Sequence, residues 1–139
     1  MTDGETRKFI AALFDTYRRR DREGFAALVH DDIDWIIHGP IEVFPFAGLR
    51  RGRAAVLQAL AVMDLSYELE SYEPDFVIVE GERAAIMADV GLMQRASGRL
   101  LRFRAANFLR VADGRLIEFR EFADSFDQVE QALGRIVEL

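Results

Sequence analysis

Residues 99–126, RLLRFRAANFLRVADGRLIEFREFADSF, hold two long alternating runs joined by a tight turn. Apolar and polar side chains alternate through Arg99–Val111 and again through Arg115–Ala123, the period-two pattern of half-buried strands. Ala112-Asp113-Gly114 between them carries the Asp-Gly pair favoured in hairpin turns, where φ must be positive. Asp124-Ser125 then opens a helix, with Gln128 at capping distance. A hairpin that is apolar on one face and ends at an acidic residue suits the floor of a pocket.

The chain before the hairpin starts with helices. Thr2 and Glu5 have capping-box spacing, and Phe9, Ile10, Leu13, Phe14 and Tyr17 form one helical stripe. Arg18-Arg19-Arg20 complements the negative end of that helix, and Asp21 can cap a short second helix whose inner residues are Phe25, Leu28 and Val29. Asp31-Asp32 ends it. Ile33 to His38 reads as a strand closed by Gly39-Pro40, followed by a loop through Pro45 and Gly48. Gly52 begins a third helix carrying Val56, Leu57, Leu60 and Met63, and three or four strands fill Tyr67 to Ala123. Phe126, Val129, Leu133, Ile136 and Val137 supply the apolar face of a closing helix. Helix, helix, strand, helix and a meander predict an α+β fold, with helices packed on one face of a strongly bent antiparallel sheet that curls into a cone.

At 139 residues the chain reads as one domain spanning 1–139, with no internal repeat or linker. Half of it is hydrophobic and 30% charged, an ordinary globular composition. A net charge of −6 argues against a nucleic-acid partner, because phosphate binding needs clustered uncompensated cations. The absence of cysteine removes disulfides, thiolate metal sites and a Cys nucleophile, and with only two histidines a dedicated zinc site is not expected. The first residues lack the basic and apolar regions of a signal peptide, and no apolar run approaches the ~18 residues of a membrane span. The expectation is a cytoplasmic protein with no membrane and no cofactor.

Three segments carry a resemblance: FAALVHDDIDW at 25–35, PFAGLRRGRAAV at 45–56 and VADGRLIEFREFAD at 111–124. Together they resemble the SnoaL-like branch of the nuclear transport factor 2-like superfamily, over almost the whole chain. The resemblance implies a cone-shaped α+β barrel around a small-molecule pocket. It says little about the reaction, since the superfamily holds ketosteroid isomerases, polyketide cyclases, epoxide hydrolases, dehydratases and noncatalytic members.

Catalysis in such a cone combines one proton acceptor with neutral donors that stabilise an oxyanion or enolate. His38, at a strand end beside the Gly39–Gly48 loop, is one candidate, with a purely structural hydrogen-bonding role as its alternative. Asn107 shares a strand face with Phe103, Ala105 and Leu109, so its amide must meet either a cross-strand side chain or a ligand oxygen. Alignment with ketosteroid isomerases places Asn107 where those enzymes carry an oxyanion-stabilising acid. Asp124 matches the acidic residue that ends the last strand in SnoaL-like cyclases, where it resembles a general base. The same residue has the spacing of a helix N-cap. Trp35, Phe103 and Phe122 are the candidate ligand-binding walls.

Arg102 and Arg104 fall on the opposite strand face, and Asp89 must be paired with an arginine or face a dimer interface, since an unpaired buried carboxylate is costly. The steroid isomerase pattern is broken: its helix-one tyrosine falls at Leu13 and its base at Ile37 or His38. The Arg-x-Asp element of limonene-type epoxide hydrolases is also missing. What remains is a cofactor-independent acid/base enzyme on a small hydrophobic carbonyl-bearing molecule. The rivals are a noncatalytic carrier or sensor and a dimeric assembly module. A homodimer is expected in each case, through an outer sheet face carrying residues such as Ile86 and Leu92.

Overall fold

The computed structural model describes residues 1–139. Helix α1 (Asp3–Arg18) starts with the expected capping box: the Thr2 side chain accepts from the Glu5 N–H, and the Glu5 carboxylate accepts from the Thr2 N–H. Helix α2 (Arg22–Ala27) is capped by Asp21 and buries Phe25. Strand β1 (Val29–Ile37) and the short β2 (Gly48–Arg51) precede α3 (Arg53–Ser66), after which come β3 (Tyr67–Glu80), β4 (Arg83–Gln94), β5 (Leu100–Ala112), β6 (Arg115–Ala123) and α4 (Ser125–Leu133).

Six strands form one curved sheet in the order β2-β1-β6-β5-β4-β3. Five of the expected features hold here: α+β order, bent sheet, N-terminal helices, terminal hairpin and C-terminal helix. The sheet departs from the expectation in being mixed and open. β1 runs parallel to β6, and β2 and β3 remain as free edges. The loop expected at Gly48 is partly a strand, because residues 48–51 find antiparallel partners at Asp34–Ile37. Asp31 and Asp32 do not end a helix but lie within β1, in an irregular stretch where the register with β6 shifts between Val29 and Asp34.

The inner sheet face and the three N-terminal helices enclose one core, with Leu13, Ile33, Leu101, Leu116 and Val111 almost wholly buried. Burying an aliphatic side chain of this size stabilises by roughly 1.5–3 kcal/mol. The closing helix is shorter than its sequence suggests. Gly134 ends it in the left-handed conformation at φ 71°, so Ile136 is not helical and is 80% exposed. Ile86 and Leu92 correct the expected outer face. Ile86 pairs across the sheet with inward Asn107, and both apolar residues are buried in the core.

Candidate active site

An aromatic-walled cavity of about 50 Å³ opens between the inner sheet face and the helices. A single water needs roughly 10–15 Å³, so the space is a few waters in size. Nine of its 21 lining residues are Phe, Tyr or Trp. Trp35 stacks on Phe119 with ring centroids 4.2 Å apart, and Phe25 meets Trp35 edge-on at 6.2 Å. Phe14 stacks on Tyr72 at 4.6 Å, and Tyr17 meets Tyr72 edge-on at 6.4 Å. The loop between β1 and β2 closes one side with Phe44 and Phe46, and Gln128 of α4 borders another.

One carboxyl stands in this apolar space. Glu121 on β6 lines the cavity, and its side chain receives one hydrogen bond from the protein: Asn107 Nδ2 donates to Glu121 Oε1 at 3.0 Å. Burial pushes the Glu121 carboxyl above its ordinary value of 4.5, and the Asn107 bond opposes that rise. Part of the residue's surface faces the cavity instead of bulk water, which is why a half-buried residue carries a desolvated carboxyl. The other end of the same amide is also used, because Tyr72 Oη donates to Asn107 Oδ1. Tyr72, Asn107 and Glu121 therefore form a chain from β3 through β5 to β6, with the amide held in one orientation.

Two phenols lie near the carboxyl. Tyr17 and Tyr72 are both raised above the ordinary tyrosine value, chiefly by burial and next by the negative charge of Glu121, so both stay protonated donors. Tyr72 spends its proton on Asn107. Tyr17 does not: its hydroxyl has only a weak contact with Met63 Sδ at 3.9 Å. The indole N–H of Trp35 is buried without a hydrogen-bond partner.

The residues proposed from sequence divide. Trp35 and Phe103 line the cavity. Asn107 is fully buried beside it, with the cross-strand carboxyl and not a guest as its partner. His38 borders the cavity but is exposed, and its ring stacks on Phe122 at 4.2 Å. Phe122 is 46% exposed on the outer face, a correction to its expected place on the wall. Asp124 is exposed and caps α4 by accepting from the Asp127 N–H. Asp89 and Arg104 pair with each other at 3.2 Å on the outer face, as one of the sequence alternatives had it.

Glu121, Tyr72 and Tyr17 were missed. The cause for Glu121 is a bulge: Val111 pairs with Leu116 while Arg110 pairs with Glu118, leaving Ile117 unpaired. Strict alternation from Leu116 turns Phe122 inward and Glu121 outward, and the extra residue reverses both. Tyr72 is set by a similar shift in β3, where Leu69 pairs with Leu92 but Ser71 with Gly91. Tyr17 was visible in the α1 stripe but indistinguishable there from core.

The chain belongs to the SnoaL-like domain family, whose model matches residues 10–119. Among solved structures, a candidate isomerase from Rhodopseudomonas palustris is 38% identical, with 97% of this chain and 100% of that one covered and a TM-score of 0.84. A nuclear transport factor 2-like protein from Burkholderia xenovorans LB400 is 25% identical, covering 95% and 98% at a TM-score of 0.82. A candidate polyketide cyclase from Xanthomonas campestris is 18% identical, covering 94% and 98% at 0.79, and shares the fold. No match is found among curated proteins. No helix is long and apolar enough to cross a membrane.

Proposed function

We propose that this protein is a cofactor-independent acid/base enzyme acting on a small, hydrophobic, carbonyl-bearing molecule, with Glu121 as the proton carrier. The observation that supports this most is a lone, desolvated carboxyl facing an aromatic cavity and oriented by Asn107. A carboxyl whose proton affinity is raised by burial works closer to neutral pH as both acceptor and donor. Ionised Glu121 takes a proton from the carbon beside the guest's carbonyl, and the electron pair moves onto the carbonyl oxygen. Tyr17, whose hydroxyl has no strong protein partner, donates a hydrogen bond to that oxygen. Glu121 then returns the proton to a different atom of the guest, which gives an isomerisation, or to a leaving group, which gives an elimination. Trp35 and Phe103 serve as walls.

Isomerase and dehydratase outcomes fit this proton traffic, as does a cyclase outcome where the enolate carbon attacks a second carbonyl of the same guest and Glu121 returns the proton to the alkoxide; a hydrolase outcome instead has Glu121 take a proton from a water that attacks the guest. The similar structures named for isomerase and polyketide cyclase support the range. The reading is tested with Glu121→Gln: binding of an identified substrate is retained while turnover falls by at least about a hundredfold. Undiminished turnover overturns it, and binding without turnover in the unaltered protein favours a carrier.

The partner is a second copy of this chain. Phe76, Ile78, Phe108 and Phe122 stand about half exposed on the outer sheet face, and a monomer leaves them in water. Ion pairs of Arg104 with Asp75 and Arg120 with Asp34 flank this apolar band.

A further inference from the structure

We infer that the cavity is also a receptor for small lipophilic ammonium ions, with Glu121 as counter-charge and the surrounding aromatic rings as its cation-binding walls. The inference rests on the Glu121-centred reading of the site but concerns binding and needs no turnover.

The argument is one of charge balance. Glu121 is the only Asp, Glu, Lys or Arg among the lining residues. A buried carboxylate is ordinarily paired with a cation, and a lone one is held at high cost or takes up a proton. Here no arginine offsets the desolvation of Glu121, and Asn107 Nδ2 is its only side-chain hydrogen-bond donor. No Lys or Arg of a packed element hydrogen-bonds or ion-pairs with its carboxyl, and the His38 ring, which borders the cavity, stacks on Phe122. Tyr17 faces it from α1 and Tyr72 from β3, both neutral phenols. Met63 of α3, Phe25 of α2 and Gln128 of α4 add no charge to the wall. At the end of β1, the His38 main-chain N–H bonds the Glu121 carbonyl, not its carboxyl. Arg22 lies over the Tyr17 ring, 5.9 Å from its centroid, and pairs with Asp64 at 2.8 Å, so one face of Tyr17 already carries a cation and the remaining rings are the walls open to a guest; Arg18 donates to the Tyr72 carbonyl.

A positively charged guest supplies what is missing. Aromatic faces attract an alkylammonium ion through their ring quadrupoles, the more so where water is excluded, and hydrocarbon around the nitrogen satisfies the rest of the wall. An anion meets the opposite: no donor cation, a negative or proton-loaded carboxyl, and ring faces of the same sign. A neutral guest leaves the proton balance of Glu121 unchanged on binding, whereas an ammonium ion pairs with its ionised form, so a carboxyl that is protonated beforehand releases its proton to the buffer.

The test uses choline, its uncharged isostere with a carbon in place of the ammonium nitrogen, and tert-butylacetate as the anion, each titrated calorimetrically into the intact 139-residue chain. Choline is expected to bind about tenfold or more tightly than the isostere, with tert-butylacetate not binding. Choline heats measured in two buffers of different ionisation enthalpy report proton release below the pH at which Glu121 ionises, and the isostere gives none. In Glu121→Gln the preference for choline shrinks severalfold, to what the rings alone supply, while isostere binding stays. Equal affinities for choline and its isostere, absence of choline binding at millimolar concentration, or a preference undiminished in Glu121→Gln overturns the inference. Should the variant fail to fold, the two-buffer measurement on the unaltered chain decides alone. Failure here leaves turnover of a neutral substrate by Glu121 standing, since that is read from rate and not from cation preference.

Discussion

Asn107 and Glu121 sit directly opposite each other on β5 and β6, and the amide of the first donates to the carboxyl of the second at 3.0 Å. The other end of the amide is fixed by the Tyr72 hydroxyl. Replacing Asn107 by Leu removes the one bond that favours the ionised carboxyl and orphans two buried groups. The Glu121 carboxyl is expected to titrate still higher, with a loss of about 1–3 kcal/mol in stability. Denaturant unfolding together with a carboxyl-resolved NMR titration checks both parts.

Glu121 also sets a pH dependence of stability. Its folded-state value lies above the ordinary 4.5, so its protonated form stabilises the fold, fully below the unfolded value, and that contribution is lost as pH rises through the folded value. Unfolding free energy is expected to fall over that window. Glu121→Gln should lack this fall and be more stable than the unaltered protein above the window. Parallel pH profiles for the two proteins contradict this.

Tyr17→Phe separates chemistry from structure. The hydroxyl removed has only a thioether contact at 3.9 Å, so stability is expected to change by less than about 1 kcal/mol. Turnover is expected to fall about 10²–10³-fold, as for loss of an oxyanion donor. Thermal unfolding and steady-state rates give the two numbers.

Asp124 behaves in the opposite way. It is exposed and caps α4, so Asp124→Ala is expected to cost about 1 kcal/mol of stability while leaving the rate and its pH profile unchanged.

Much of the fold is legible in the sequence. The Arg99–Ala123 hairpin, the Thr2–Glu5 capping box and the Asp21 cap follow from local rules, because two-residue alternation and cap chemistry act within a few residues. Asn107 stood out as one amide among apolar neighbours. The carboxyl it serves did not, because an unpaired Ile117 in β6 reverses which side chains face in. The same shift sends Phe122 outward to stack on His38. Nor does any local pattern reveal that β1 lies parallel to β6, since that pairing joins segments more than eighty residues apart.

The outer face gives a prediction about assembly. Phe108 and Phe122 meet edge-on at 6.0 Å in the exposed band, so Phe108→Glu places a charge at its centre. Light scattering is expected to report a dimer for the unaltered chain at micromolar concentration and a monomer for the variant. A monomeric unaltered chain removes the proposed interface.

The proton-carrying carboxyl is tested most directly by carbon-13 NMR titration of the Glu121 side chain in the intact protein, with Glu121→Gln to assign its signal. A midpoint well above 4.5 that moves when a guest enters the cavity is the result expected. A midpoint at the ordinary glutamate value, unmoved by any guest, contradicts a desolvated proton carrier in the aromatic cavity.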